Sequence, residues 1–462
     1  MARTGEMELQ PVETGARGPQ IRGERSTLTS SAIWRCVAFG SLVVVFEIFR
    51  PLMVGIDYER PEEIDPQVLR LVLLFVYGVF LALALGAPGR FITIFVGMAP
   101  VFLVLLLAFL SASWSPVPAL SLQKALTSFA LAIGACALVA RLGAAQVLRL
   151  IAWVLALGVV ASVLAALLVP DLGVHQRQDA FEFYHAGMWR GVFYHRVLLG
   201  QFAAFTLAVW LFAAGGIARW PVRLAIILAS VACLAGARSA GSFVTVGILV
   251  TTAVIMRFAG MWRRQERSKV LVLLAIAAVP VGLLVFWVLP IVVASLGRDL
   301  TFTGRWSLWV LLVDVIAERP WLGHGFNAGY WILRPAFEMQ FGYDFVHPHS
   351  GYFDMAVGLG LVGLALCLVF LLWFVLAASR LVFSPAGSAL GALRYLPFLT
   401  AVFTIEVNLA EAMLVESRGF GAALAFTAFA CLRAPELRAG PASQPDSAIL
   451  RRLRKPPAGR DG

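Results

Sequence analysis

The most regular feature of the sequence is a series of long apolar stretches separated by short polar segments. The stretches recur from Ala32 to Leu432, and most have about 18 to 25 residues. A helix of about 20 apolar residues crosses about 30 Å of hydrocarbon. The pattern therefore predicts an all-α polytopic membrane protein with about 12 transmembrane helices, at residues 32–49, 68–86, 91–111, 120–140, 146–169, 193–215, 222–236, 242–258, 270–296, 351–376, 394–410 and 412–432.

Composition supports this class over the alternatives. Of the 462 residues, 60% are hydrophobic and 14% are charged, whereas a soluble domain has about 25% charged residues. The apolar stretches are continuous rather than alternating, which argues against a transmembrane β-barrel. The 5 cysteines lie in apolar stretches and form no CxxC pair. They are therefore interpreted as small core residues and not as a disulfide framework or a zinc site.

The positions of arginine and lysine predict the orientation in the membrane. Basic residues precede the first span, follow the last and occupy every second connection, for example Arg90, Arg141 and Arg263. Cytoplasmic loops carry the excess of these residues. We therefore expect a multi-pass protein of the cell inner membrane with both termini in the cytoplasm. The net charge of +11 is then mainly a topology signal, and no nucleic-acid partner is expected.

The same pattern divides the chain into three parts. Residues 1–30 are polar and predict a disordered cytoplasmic tail, and residues 31–434 form the transmembrane domain. Residues 435–462 predict a second, basic disordered tail. The longest outer connection, at 297–350, lies before the tenth span and is the loop large enough to fold as a small subdomain.

Orientation does not explain the basic residues of the outer connections. They are all arginines, and a planar guanidinium binds phosphate through two hydrogen bonds, so the set suits an anionic diphosphate. For each single arginine, pairing with lipid headgroups or with Asp299, Glu318 or Asp344 is the alternative interpretation. The outer arginines are Arg177, Arg190, Arg196, Arg238, Arg298, Arg305, Arg319 and Arg334.

Histidines are also concentrated on the predicted outer side. Neutral histidine is the usual general base near neutral pH. His347 and His349 could instead form a metal pair, but their spacing is a weak ligand signal. The run from Gly323 to Gly329 looks like a dinucleotide fingerprint without a preceding strand, so it predicts a tight turn. The histidines are His175, His185, His195, His324, His347 and His349.

Five segments, taken in order, resemble the O-antigen ligase and bacterial polysaccharide polymerase superfamily. The segments are 110–125 (LSASWSPVPALSLQKA), 190–201 (RGVFYHRVLLGQ), 237–242 (ARSAGS), 301–331 (beginning TFTGRWSLW) and 347–363 (HPHSGYFDMAVGLGLVG). The last two, around the long outer loop, are the specific part. In two places where the family often has asparagine, this chain has Val197 and Ser350. Ser350 can donate and accept hydrogen bonds, whereas the side chain of Val197 cannot.

The resemblance implies a GT-C-like, metal-independent, inverting membrane glycosyltransferase that needs no cofactor. The donor would be an undecaprenyl-diphosphate-linked glycan, and the acceptor would be a sugar hydroxyl of a glycan or of lipid A-core, met at the periplasmic face. His349 is the expected general base, and Arg305 and Arg238 are expected to stabilise the leaving diphosphate. A chain-length regulator and a flippase are the expected protein partners. The expected substrate-binding residues are Arg190, His195, Arg196, Ser350, His347 and Trp114.

Three activities stay open at this point. Polymerisation of exopolysaccharide or O-antigen repeat units is the first interpretation, and O-antigen ligation to lipid A-core is the second. A polysaccharide transporter or flippase is the third. Transporters usually place ionisable residues near the middle of the membrane. Here such residues are scarce within the spans and polar chemistry collects outside, which favours surface chemistry.

Overall fold

The helices account for the regular secondary structure of the residues that the computed structural model describes, namely 21–51, 67–179, 183–261, 305–328, 348–415 and 419–438. Within these ranges there are two isolated β-bridges and no β-strand. Six helices are long and apolar enough to cross a membrane, or up to 7 if a pair bent by 108° forms one span. The predicted all-α membrane fold is thus confirmed, but the number of 12 spans is not. The predicted span 270–296 lies outside the described residues.

Thirteen main helices follow one another along the described chain. They are α1 (Ile21–Val45), α2 (Gln67–Leu85), α3 (Pro88–Gly97), α4 (Ala99–Leu110), α5 (Pro118–Leu142), α6 (Ala144–Leu168), α7 (Arg196–Ala208), α8 (Trp220–Ala237), α9 (Ala240–Met261), α10 (Arg305–Glu318), α11 (Gly351–Phe383), α12 (Tyr395–Val407) and α13 (Phe420–Arg433). A π-helical turn, Val209–Ala213, extends α7.

Several predicted spans differ from the helices in their internal form. The predicted span 91–111 is divided at Met98 into α3 and α4. Gly360 interrupts α11 with a φ of 67°, a conformation that glycine adopts without a steric cost. Residues 320–325 pack against this interruption, where the N–H of Gly325 donates to the carbonyl of Gly358 at 2.8 Å. The run from Gly323 forms a tight turn there, with positive φ at Gly323 and Gly325.

Aromatic packing joins three helices and the segment after α1 at the start of α13. The ring of Phe420 lies 5.6 Å from that of Phe46, 4.8 Å from Phe202 and 5.6 Å from Phe403. Aromatic pairs at such distances add about 0.5–1.5 kcal/mol each beyond burial. The region after α1 and helices α7, α12 and α13 therefore form a packed centre. Many large apolar side chains on the outer helices point outward instead, as lipid-facing residues do.

One end of the bundle gathers residues that the charge pattern assigns to the cytoplasm. Nη2 of Arg90 lies 2.8 Å from Oε2 of Glu436, and Oε1 of Glu436 accepts a hydrogen bond from the N–H of Ala144 at 3.0 Å. The guanidinium of Arg141 lies 5.5 Å from the ring of Trp34. Connections that the charge pattern assigns to the same side of the membrane therefore lie at the same end of the helical bundle. Which side of the membrane this end faces stays a prediction.

Each predicted tail includes helical residues where it adjoins the transmembrane domain. Helix α1 starts at Ile21, inside the predicted tail 1–30. A short helix, Pro435–Arg438, follows α13 and carries Glu436, which joins three connections. The other residues of the predicted tails, 1–20 and 439–462, lie outside the described ranges.

The end of α1 has an unusual residue at its terminal turn. The N–H of Ile48 bonds to the carbonyl of Val43, and the N–H of Glu47 bonds to the carbonyl of Val44. This pair of bonds is the Schellman motif, whose left-handed position is usually glycine. Here the position is Glu47, with a φ of 56°. A left-handed conformation costs a residue other than glycine about 1–2 kcal/mol.

Candidate active site

Three histidines form a triangle at the end of the bundle opposite Glu436. The ring centroids of His175 and His185 are 5.5 Å apart, those of His175 and His195 are 5.6 Å apart, and those of His185 and His195 are 5.5 Å apart. His175 and His185 come from the connection between α6 and α7, and His195 occupies the N-cap position of α7. The polar chemistry that the sequence places in one connection is therefore concentrated at one point.

Hydrogen bonds fix a neutral form for each ring of the triangle. The Arg196 N–H donates to Nε2 of His175 at 3.2 Å, and the Arg196 Nε–H donates to Nδ1 of His185 at 2.9 Å. The Val197 N–H donates to Nδ1 of His195 at 3.1 Å. A ring nitrogen that accepts a hydrogen bond carries no proton, so each ring is neutral.

Burial and neighbouring charges also favour the neutral forms. Burial lowers the pKa of His175 from 6.5 to about 4. The positive charge of Arg190 also lowers this pKa, whereas the hydrogen bond to Asp179 raises it. Burial likewise lowers the pKa of His195 well below its usual range, with His175 as the next contributor. His195 therefore presents an Nε2–H donor at neutral pH and cannot take up a proton on Nδ1 without losing its cap.

Arg196 holds the end of α8 as well as the triangle. Nη1 of Arg196 donates to the carbonyls of Ala237 and Arg238, at 3.3 and 3.1 Å. Arginine commonly binds the last carbonyls of a helix in this way. Arg238 has a left-handed backbone with a φ of 49° and ends α8. Its side chain is exposed, and among the described residues its guanidinium forms no ion pair.

The side chain of Arg190 forms its hydrogen bonds within the connection between α6 and α7. Its side chain is 3% exposed, and Nη1 lies 3.1 Å from Oδ2 of Asp179. Its Nε and Nη2 donate to the carbonyls of Leu172 and Asp171, each at 2.9 Å. Asp179 also accepts from the backbone N–H of Gln176. Sequence reasoning missed Asp179 as the partner of Arg190, although an aspartate in the same connection was available as a signal.

The side chain of His349 lies near the carboxylate of Glu411, a residue in the turn after α12. Nδ1 of His349 lies 3.9 Å from Oε2 of Glu411, and the two side chains are 29% and 13% exposed. The backbone of His349 is left-handed, with a φ of 52°, a conformation that costs about 1–2 kcal/mol. Such local strain is concentrated at functional sites. At 3.9 Å the Glu411 carboxylate is too far from Nδ1 for a hydrogen bond, but it is close enough to pair with a protonated His349 ring.

Helix α11 begins immediately after His349 and is fixed to the same turn. The N–H of Gly351 donates to the carbonyls of Asn408 and Glu411, both at 3.0 Å, and the hydroxyl of Ser350 donates to the Asn408 carbonyl at 3.2 Å. A Cβ on residue 351 would overlap the Asn408 side chain. Ser350 thus anchors the loop to Asn408, and its side chain does not cap α11.

The connection between α6 and α7 and the segment before α11 come together at His195 and His349. The charge of His349 is one of the influences that lower the pKa of His195. The connection before α7 and the segment before α11 therefore face one another, although they are far apart in sequence. His349, His195 and Arg196 are brought to one region.

Arg305 begins α10, which packs beside α11. The Nε1–H of Trp309, one helical turn after Arg305, donates to the carbonyl of Pro348 at 3.0 Å. The Trp309 ring also stacks on Phe353 at 5.5 Å. The N-terminus of α10 therefore lies near the segment that carries His349.

The side chains of Trp114 and His324 both contact backbone carbonyls of other segments. The Nε1–H of Trp114 donates to the carbonyl of Leu322 at 3.2 Å. The ring of His324 is buried with Nε2 3.0 Å from the carbonyl of Val315. No contact joins Trp114 to the histidine triangle among the described residues. His347 and half of the predicted loop 297–350 lie outside them.

Comparison with known proteins agrees with the resemblance of the motifs. The sequence profile of the O-antigen ligase family matches residues 224–368. The exopolysaccharide production protein ExoQ of Rhizobium meliloti (strain 1021) is 23% identical over 310 residues, which are 64% of this chain and 68% of ExoQ. Both matches support the resemblance to the O-antigen ligase and polysaccharide polymerase superfamily.

The match to the O-antigen ligase family covers part of the site. Arg238, Arg305 and His349 all lie within residues 224–368. Arg196 and Glu411 lie outside that segment, and the fold supplies them from α7 and from the turn after α12. The described residues hold no group of three or more histidine, cysteine, aspartate or glutamate side chains arranged to bind a metal ion.

Proposed function

We propose that the protein is a membrane glycosyltransferase of the polymerase type. It transfers an undecaprenyl-diphosphate-linked oligosaccharide to a sugar hydroxyl at the periplasmic face and so joins exopolysaccharide or O-antigen repeat units. The observation that carries the proposal is the pairing of His349 with Glu411, at the end of the bundle where Arg238 presents an exposed guanidinium. ExoQ, which resembles this chain, is named for exopolysaccharide production.

The reaction requires a base, and His349 is the residue placed for that role. Its ring takes the proton of the acceptor hydroxyl while that oxygen attacks the anomeric carbon of the donor. Glu411, 3.9 Å from Nδ1, stabilises the imidazolium that forms. A positioned general base contributes a factor of about 10²–10⁴ to the rate.

The bond from the anomeric carbon to the diphosphate oxygen breaks as the new glycosidic bond forms. Direct displacement inverts the anomeric configuration and leaves undecaprenyl diphosphate. Arg238 and Arg305 take up the growing negative charge, as fixed cations do at developing anions. Two guanidinium groups can supply the charge that a divalent metal ion supplies elsewhere, so the reaction proceeds without one.

The family description also favours a second candidate. An O-antigen ligase transfers the finished glycan to lipid A-core, and the same base and arginines would serve that reaction. The acceptor alone distinguishes the two activities.

The test uses the purified full-length protein in lipid nanodiscs with the lipid-linked oligosaccharide extracted from its own cells. We expect a ladder of longer lipid-linked glycans and release of undecaprenyl diphosphate, unchanged by EDTA. Product that forms only after lipid A-core is added would identify the ligase. Absence of transfer with either acceptor contradicts the proposed function, and loss of transfer in EDTA restored by a divalent ion contradicts its metal independence.

A further inference from the structure

A shallow cleft, open to solvent, lies beside the histidine triangle. Its inner wall consists of Phe46, Phe193 and Phe420, which are almost fully buried. Its partly exposed lining includes Glu47, Tyr194 and Leu198. A ligand in the cleft would therefore meet a carboxylate and an aromatic ring as well as apolar surface.

The polar side of the cleft is held in a fixed arrangement. Oε2 of Glu47 accepts a hydrogen bond from Nη1 of Arg50 at 3.0 Å, and both side chains are largely buried. The guanidinium of Arg50 lies 5.1 Å from the centroid of the Tyr194 ring. Oε1 of Glu47 accepts no hydrogen bond from the described part of the chain. One oxygen of a fixed carboxylate thus remains available to a ligand.

The backbone supports a role for the carboxylate itself. Glu47 occupies the left-handed position that ends α1, and Phe49 is left-handed as well, with a φ of 69°. Glycine at residue 47 would form the same turn with less strain. The sequence instead places there a charged side chain that faces the cleft.

The position of the cleft relates it to the reaction. Tyr194 directly precedes His195, and their rings are 6.5 Å apart. Met413 lines the cleft two residues after Glu411, the neighbour of His349. The lining of the cleft therefore includes residues close in sequence to His195 and to Glu411.

We propose that this cleft is the acceptor subsite and binds a hydroxyl-rich sugar residue of the growing glycan. Sugar hydroxyls donate hydrogen bonds to the Glu47 carboxylate, and the apolar face of the sugar ring packs on Tyr194. A diphosphate would be repelled by Glu47. A hydrocarbon chain would remove the carboxylate from water without supplying a donor. The inference rests on the proposed glycosyltransferase function.

The binding test uses full-length His349→Ala protein in nanodiscs, which removes the general base. The acceptor probe is the free oligosaccharide repeat unit released by mild acid from the lipid-linked donor of the same cells. The donor-side probe is undecaprenyl diphosphate, which carries no sugar. Oligosaccharide binding is measured with undecaprenyl diphosphate at saturation, so that the diphosphate site is already occupied.

We expect Glu47→Gln to raise the Kd of the oligosaccharide by about tenfold, because a hydrogen bond to a charged group is lost. Leu198→Trp fills the mouth of the cleft and should weaken the same binding by at least about as much. The Kd of undecaprenyl diphosphate should change less than about twofold in both variants. Asp171→Asn, which removes an exposed carboxylate at the same end, is the matched control and should change neither value.

Unchanged oligosaccharide binding in both cleft variants, or no oligosaccharide binding to the unsubstituted cleft, would overturn the assignment. Weaker binding of undecaprenyl diphosphate in both would show that the cleft holds the lipid carrier instead. The proposed function is tested separately by transfer in protein that retains His349. Transfer by that protein together with normal binding in the cleft variants would refute only the acceptor subsite.

Discussion

Nη1 of Arg196 lies 3.1 Å from the carbonyl oxygen of Arg238 and fixes the left-handed turn at the end of α8. The two arginines therefore have different tasks. Arg196 is 9% exposed and binds protein groups, whereas Arg238 is exposed to the space outside the helix. We infer that Arg196 positions Arg238 and does not itself bind the diphosphate.

Arg196→Lys should weaken donor binding without removing the base. Lysine keeps the positive charge but cannot donate in the geometry that reaches both His185 and the α8 carbonyls. We expect the donor KM to rise by about tenfold and kcat to fall by less, in steady-state transfer assays. Arg190→Lys breaks a similar buried network that does not contact α8, so it should lower thermal stability with little effect on donor KM. Equal donor KM values in both variants would contradict the positioning role.

Arg238→Lys and Arg305→Lys should behave alike if both side chains bind the same diphosphate. Each keeps one charge and loses the planar fork that binds phosphate oxygens in pairs. We expect both to weaken binding of undecaprenyl diphosphate and to slow transfer by at least about tenfold. Arg177→Lys, at an exposed arginine of the same end, is the control and should leave both quantities near those of the unsubstituted protein. A normal affinity in either substituted arginine would remove that residue from the diphosphate site.

The apolar pattern of the sequence was sufficient for the class of fold, because span length depends on local composition. It did not show the break at Met98, since apolar composition continues through that position. It also did not show the angle of 108° between α2 and α3, because the direction of a helix after a connection depends on tertiary packing. The motifs of residues 301–363 indicated the family. They could not show that Arg196 binds His185 and the end of α8.

Those contacts depend on tertiary packing of segments that are separate in sequence. Val197 illustrates the difference. Its side chain has no hydrogen-bonding group, whereas the family often has asparagine at this position. Its backbone N–H nevertheless donates to Nδ1 of the N-cap residue His195 at 3.1 Å, a contact that any residue other than proline could make.

Stability should decrease as the pH falls, because the folded protein holds His175 in its neutral form. The pKa of His175 is about 4 in the folded protein, and it is 6.5 when the ring is exposed to water, as in the unfolded chain. The unfolded chain therefore binds more protons between these values, and the free energy of unfolding falls as the pH decreases from about 6.5 to about 4. Thermal unfolding of His175→Gln protein should show a weaker pH dependence over this range. The same dependence as in the unsubstituted protein would contradict the role assigned to His175.

The predicted orientation can be tested with single cysteines at the two ends of the bundle. In a variant without the native cysteines, Gln178→Cys should react with a membrane-impermeant maleimide added to spheroplasts. Gly89→Cys, beside Arg90 at the other end, should react only after the membrane is disrupted. Both positions are exposed in the structure, so burial does not limit either reaction. The reverse labelling pattern would place the site in the cytoplasm.

The most direct test of the central claim compares chemistry with donor binding in His349→Ala protein. The measurement is transfer from the purified lipid-linked donor in nanodiscs, with the affinity for undecaprenyl diphosphate determined separately. Removing the base should lower kcat by at least about 10² and leave that affinity nearly unchanged, because the arginines are intact. Correctly folded His349→Ala protein that transfers the glycan at the unsubstituted rate would contradict the account.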